Sequence, residues 1–223
     1  LDTPVGTTAV DVVSPAEMLQ SLTEECRDAN ILIMSAAVSD WKPDIESSRK
    51  IKKVDSEHIN INLVNTPDIV AEISHEGLIK VGFAAETEDL MKNAQAKLGP
   101  KGLHLIVAND VTSANSGFGS DTNEVVIINR EGDAEELGLM SKYDVANHIL
   151  DRVVNIKLSK YLIRKITQFS KGESTLGGKD LWIDESVGKL NFESRGRYLG
   201  KFDSSDMVIV NIGKFNPNKN QIF

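Results

Sequence analysis

Apolar and polar residues follow one another along this chain in blocks whose spacing switches between that of a strand and that of a helix. Residues 7–13 read as a strand; Ser14 follows as a helix N-cap, with Pro15 at the first helical position and Glu17 three residues after the cap, so a helix is expected to about Ala29. A continuous apolar strand over 31–36 comes next. Over 58–64 the pattern alternates and puts Ile59, Ile61 and Leu63 on one face of a strand, after which Thr66-Pro67-Asp68 opens a short helix to about Ser74. A strand at 78–83, a helix at 86–99 ended by Gly99-Pro100, and a strand at 103–108 extend the series. This repeated βα order predicts an α/β fold with a doubly wound, Rossmann-like, mostly parallel sheet.

Residues 109–122 are rich in Asn, Asp, Ser and Gly and read as a loop, followed by a strand at 124–129 and a helix at 141–154 capped by Ser141. The character changes after residue 155. A basic amphipathic helix is expected at 155–169, and short β segments joined by glycine turns at 172–213. The expected organisation is therefore an α/β domain over 1–154 and a small β-rich C-terminal appendage over 155–223.

Composition narrows the function classes. The chain has 223 residues, 40% hydrophobic and 26% charged, enough to bury an ordinary core in one domain or two unequal ones. A net charge of −8 and a pI of about 5.1 argue against a general nucleic-acid surface and leave room for a local basic pocket. A single cysteine, Cys26, excludes an intrachain disulfide framework and a multi-cysteine metal site. No apolar run approaches the ~18 residues of a membrane span, and no basic-then-apolar leader opens the chain, so a cytoplasmic protein is expected. The chain starts at Leu1 and opens on Thr3-Pro-Val-Gly6, which reads as a connection between elements and suggests a missing upstream segment.

Several stretches carry residue types suited to chemistry. The strand at 31–36 leaves through Ser35-Ala36 to Asp40, with Lys50-Ile-Lys-Lys53 soon after; small residues admit a ligand to the backbone, a carboxylate can hold a divalent cation, and ammonium groups neutralise phosphate. A buried strand followed by a solvated loop is the plainer account. Lys97 and Lys101, four apart, project from one helix face, where they also suit the helix dipole. The turn at 66–70 offers free N–H groups at a helix start. Phe83, between Gly82 and Ala84-Ala85, could stack on a flat ring or simply fill a core. The segment 117–125 has glycine hinges and a polar tip, as a lid or an ordinary surface turn would.

In combination these stretches say more. Ala36-Ala-Val-Ser-Asp40, Lys50-Ile-Lys-Lys53, Thr66-Pro-Asp-Ile-Val70, Gly82-Phe-Ala-Ala-Glu-Thr87, Ala108-Asn-Asp110 and Gly117-Phe-Gly-Ser-Asp121-Thr-Asn123 occur in an order that resembles phosphopantothenoylcysteine synthetase, the ligase half of the bacterial bifunctional coenzyme A enzyme, over about residues 1–154. The resemblance implies a cytoplasmic homodimer that uses CTP and Mg²⁺ (or Mn²⁺) to activate 4′-phosphopantothenate as an acyl-cytidylate, which the cysteine amine then attacks. It implies a catalytic Lys50 at the reacting phosphate and Asp40 as cation partner. Ser35, Ala36, Pro67, Asp68, Ile69, Val70, Phe83, Lys97 and Lys101 would line the nucleotide, and Asn109, Asp110, Gly117, Phe118, Gly119, Ser120, Asp121 and Asn123 would order or cover the site.

The departures from the family pattern matter as much. Its opening strand, its glycine-rich turn and the asparagine that stabilises the acyl-nucleotide do not precede Leu1. The expectation is a chain with the nucleotide half of the site, an open sheet edge and reduced stability, which makes a catalytically impaired nucleotide-binding fragment the alternative reading. A nicotinamide-dependent reductase is disfavoured, because no Gly-x-Gly-x-x-Gly follows a strand. The tail faintly resembles the start of class II aldolase/adducin-like domains, but all four histidines precede it and no zinc chemistry is assigned there.

Overall fold

The computed structural model describes residues 3, 6–45, 59–86, 89–110, 120–170 and 207–210. Helix α1 (Pro15–Glu25) starts as its sequence predicts, with Ser14 Oγ accepting from the Glu17 N–H at 3.2 Å and the Glu17 carboxylate accepting from the Val13 N–H at 2.9 Å. It ends four residues earlier than expected and leads into β1 (Ile31–Met34). A small antiparallel hairpin of β2 (Trp41–Pro43) and β3 (Leu63–Asn65) follows, then α2 (Ile69–Glu72), β4 (Ile79–Glu86), α3 (Leu90–Leu98) and β5 (Leu105–Asp110). The chain continues through β6 (Thr122–Asn129), β7 (Ala134–Ser141) and the long helix α4 (Lys142–Ser170), and β8 (Met207–Val210) is the last described element.

Six strands form one sheet in the order β7-β6-β5-β4-β1-β8. The β8–β1, β1–β4 and β4–β5 pairings are parallel and β6 runs against both its neighbours, so the sheet is mixed and mostly parallel. The α/β, Rossmann-like reading of the sequence thus describes the architecture. Strands β1, β4 and β5 bury side chains on both faces, as continuous apolar runs predict. On one face Ile31, Ile33, Ile79, Val81, Leu105 and Val107 pack under Val145, Ile149 and Val153 of α4. On the other, Leu32 and Met34 meet Leu22 and Cys26 of α1 and Ile69 of α2, while Ile106 and Ala108 meet Ala94 and Leu98 of α3.

Four local expectations change. No strand forms over 7–13, where Val10 and Val13 are exposed and no strand pairs alongside among the described residues. Of the strand expected over 58–64, the described residues form only the start of β3, and Ile59, Ile61 and Leu63 face solvent instead of the core. The sequence reading has no counterpart of β7. Finally, α4 runs unbroken across the boundary expected between 154 and 155, and β8, assigned from sequence to the appendage, lies in the main sheet.

Candidate functional site

In open α/β sheets ligands bind beyond the carboxyl ends of the strands. Here that rim is built from the exits of β1, β4 and β5 together with the amino end of the reversed strand β6. Ser35 and Ala36 leave β1 half-buried, and the chain emerges through Ser39 and Asp40, both exposed. It is stitched there to the turn before α2. The Thr66 N–H donates to the Asp40 carbonyl at 2.9 Å, and the Thr66 hydroxyl donates to the carbonyl of Ser39. Pairing of β2 with β3, Trp41 opposite Asn65, holds the two segments side by side. Two motifs far apart in sequence, 35–40 and 66–70, therefore form one surface.

Asp68 anchors that surface. One carboxylate oxygen accepts from the Ala71 N–H at 3.2 Å and caps α2; the other meets the Lys101 ammonium at 2.9 Å. Partial burial pushes the Asp68 carboxyl up, but the Lys101 hydrogen bond, the Ala71 N–H and the charges of Lys101 and Lys80 outweigh it and hold the group below the usual carboxylate value. Sequence pattern alone puts Lys101 on a helix face with Lys97. In the structure α3 has already ended, and the Lys101 N–H donates to the Lys97 carbonyl at 3.3 Å in the turn that follows. Lys97 is half-buried and Pro67 and Val70 partly so, whereas Ile69 is fully in the core and presents only backbone to a ligand.

A residue that sequence reasoning missed completes the anchor. Lys80 on β4 is 4% exposed, and its ammonium donates to the carbonyls of Val70 at 2.8 Å and Ile73 at 2.9 Å, closing the last turn of α2. Burial lowers its pKa, the Asp68 charge opposes that shift and Arg130 adds to it. A lone lysine inside the apolar run Leu78-Ile-Lys-Val81 was the available signal, since a lysine there must find partners or leave the strand.

On the carboxyl side of the sheet, Phe83 on β4 is exposed instead of filling the core. The register sets Ala85 beside Asn109 and Glu86 beside Asp110 at the carboxyl ends of β4 and β5, and Asn109 lies opposite Val125 of β6. Ser120, Asp121 and Asn123 gather at the start of β6 on the same rim. The Thr122 N–H donates to Ser120 Oγ at 3.1 Å, the Lys142 N–H to the Asp121 carbonyl at 2.9 Å, and the Glu124 N–H to Asn123 Oδ1 at 3.1 Å. Lys50, Gly117, Phe118 and Gly119 lie outside the described residues. Among the described residues no three His, Cys, Asp or Glu side chains cluster to hold a metal, and Asp40 offers a single exposed carboxylate. Such a donor suits Mg²⁺ carried by a phosphate chain better than a protein cage.

Residues 1–156 match the family model described as the DNA/pantothenate metabolism flavoprotein C-terminal domain. The chain is 40% identical over 156 residues to the coenzyme A biosynthesis bifunctional protein CoaBC of Bacillus subtilis (strain 168), covering 69% of this chain and 38% of that protein. It is 37% identical over 150 residues to a cysteine/cysteine sulfinic acid decarboxylase from an unknown prokaryotic organism, covering 66% of this chain and 42% of that one. A crystal structure of the C-terminal domain of the bifunctional protein CoaBC superposes with a TM-score of 0.56 at 31% identity, covering 70% of this chain and 71% of that domain. The chain thus spans about two fifths of the length of these curated relatives, and among the described residues no helix is long and apolar enough to cross a membrane.

Proposed function

Because the chain belongs to the DNA/pantothenate metabolism flavoprotein C-terminal domain family, we propose that it carries the nucleotide site of a phosphopantothenate–cysteine ligase and takes part in CTP-dependent joining of 4′-phosphopantothenate to L-cysteine. The observation that carries this reading is the joined surface of 35–40 and 66–70 beyond the carboxyl end of β1, where Thr66 is bonded to the carbonyls of Ser39 and Asp40; the Asp68–Lys101 pair ties its far side to the turn that enters β5. It presents backbone, a cation and small residues where a triphosphate and a flat base would lie.

The reaction in this reading has two steps. The substrate carboxylate attacks the α-phosphorus of CTP, releasing pyrophosphate and giving an acyl-cytidylate; the cysteine amine then attacks the acyl carbon and expels CMP. A carboxylate must become an electrophile before an amine can displace anything from it, and the charge that moves onto the phosphates needs cations held in place beforehand. Lys101, held by Asp68, and Lys97 supply charge from the α3 end, and Lys50 supplies it at the reacting phosphate. Bound Mg²⁺ would neutralise phosphate oxygens, with Asp40 orienting its shell. Phe83 offers an exposed ring against the base, and Asn109, Asp110, Ser120, Asp121 and Asn123 order the opposite wall.

The homodimer belongs to the same proposal. Trp41, Ile45, Ile59, Ile61 and Leu63 are all more than half exposed on and beside the β2–β3 hairpin, an apolar patch that a second copy would cover. A cytoplasmic setting follows from the substrates of this reading.

Titration calorimetry with CTP and a pyrophosphate-release assay with 4′-phosphopantothenate test the proposal together. Binding with release supports ligation, and binding without release supports the alternative of a nucleotide-binding fragment. Absence of CTP binding sinks both. Lys101→Met is expected to weaken CTP binding by at least about tenfold, the loss of one charged hydrogen-bond donor, and Lys50→Gln to abolish acyl-cytidylate formation.

A further inference from the structure

At the opposite end of β5 from Asn109 and Asp110, basic side chains converge from three elements. His104 immediately precedes β5, and Arg130 immediately follows its antiparallel neighbour β6, in which Asn129 lies opposite Leu105. Lys160 reaches them from α4, its ammonium nitrogen 2.9 Å from His104 Nε2. Arg130 is held by the chain that enters β5: its Nε donates to the Leu103 carbonyl at 3.1 Å and its Nη2 to the Gly102 carbonyl at 3.0 Å. Those bonds leave Nη1 without a partner among the described residues. Arg130 and Lys160 are exposed and His104 is half-buried, so the group is open to solvent.

These charges are uncompensated. Among the described residues no carboxylate lies within ion-pairing distance of Arg130, Lys160 or His104, and the ion pairs that do form are Lys101–Asp68 and Arg152–Glu135. Asp133, in the turn after Arg130, accepts from Asn129 Nδ2 at 2.9 Å. Burial and the Arg130 charge lower the pKa of Lys160, and burial with the charges of Lys160, Arg130 and Lys80 lowers that of His104. Donors are in surplus as well. An imidazole accepts through at most one nitrogen, yet a donor stands at each: the Lys80 N–H at Nδ1 and the Lys160 ammonium at Nε2. In a chain of net charge −8, like charges and surplus donors gathered in one place call for an anionic acceptor.

We infer that Arg130, Lys160 and His104 form an oxyanion site that takes a phosphate dianion, free or as the end of a phosphate monoester, separate from the nucleotide surface. A phosphate monoester carries close to two negative charges at neutral pH, matching the guanidinium and the ammonium, and its oxygens accept in several directions, so that one group can bridge three elements. A carboxylate offers one charge in one plane. The sheet keeps the two sites apart, since α4 covers one of its faces while α2, which carries the Asp68–Lys101 pair, packs on the other.

Calorimetric titration of the full chain with inorganic phosphate and with methyl phosphate, at constant ionic strength, tests the site, and nitrogen NMR of the His104 ring locates it. Binding of either anion with a shift at His104 is expected, and the tighter of the two names the source. Lys160→Gln and Arg130→Gln should each weaken that binding by at least about tenfold, the loss of one charged donor, and leave CTP affinity unchanged. Lys101→Met should leave the phosphate response at His104 intact. If Arg130→Gln fails to fold, because Arg130 also holds two backbone carbonyls, the exposed Lys160→Gln decides. The inference is overturned by any of three results: no phosphate response at His104, binding that survives Lys160→Gln but not Lys101→Met, or equal displacement by chloride at matched ionic strength.

Discussion

His104 shows how closely the chemistry of a single side chain is fixed by its surroundings. Its Nδ1 lies 3.1 Å from the Lys80 backbone N–H, which can only donate, so Nδ1 accepts there. Nε2 in turn lies 2.9 Å from the Lys160 ammonium nitrogen. Burial first, then the charges of Lys160, Arg130 and Lys80, push the imidazole pKa from its ordinary 6.5 down to about 4. A histidine that stays neutral in the fold and protonates in the unfolded chain makes unfolding easier in acid. Its contribution is complete above pH 6.5, shrinks as pH falls from there, and is gone near pH 4. Melting temperatures recorded from pH 7 to pH 4 are expected to fall less steeply for His104→Asn, which offers an acceptor to the Lys80 N–H without titrating. Parallel curves for the two proteins would remove His104 from the account.

Among the elements, β4 is the most tightly constrained. A Cβ built on Gly82 would lie 2.8 Å from Leu103 Cδ1, and Leu103 is itself buried against α3. Gly82→Ala therefore overpacks the strand that carries Phe83 to the rim, and a loss of about 1–3 kcal/mol in urea unfolding is expected, with Leu103→Val recovering part of it. The same strand illustrates what the sequence makes legible. Continuous apolar runs disclosed β1, β4 and β5, and the Ser14-Pro15-Glu17 signature disclosed the start of α1, because burial on both faces and capping leave local marks. Partnership leaves none: the stretch at 7–13 has strand composition and no partner strand among the described residues, while β7 reads Ala-Glu-Glu-Leu-Gly-Leu-Met-Ser and pairs along β6. Of the ordered motifs, Asn109 and the Ser120–Asn123 corner lie at the carboxyl end of β5 and the start of β6, whereas the Asp68–Lys101 pair lies toward the amino end of β5. Lys80 escaped because its value to the site lies in two carbonyls of α2, which no spacing rule connects to a lysine on β4.

For the whole molecule the decisive surfaces are its apolar margins. The β2–β3 hairpin leaves Trp41 54% and Leu63 52% exposed, an arrangement a lone protomer does not reward. Light scattering is expected to give a dimer for the native chain and a monomer for Trp41→Ser/Leu63→Ser, with the monomer's Tm little changed. A dimer that survives the double substitution would move the interface elsewhere. The other margin has a consequence in time. Ile31 of β1 pairs with Met207 of β8 across nearly the whole described chain, so this neighbour of β1 is made long after β1 itself. Contacts so distant in sequence form late, and synthesis at about 5–20 residues per second delays them further. In each nascent copy Ile31–Met34 therefore wait seconds for this partner, an interval in which strand edges are open to association with other chains.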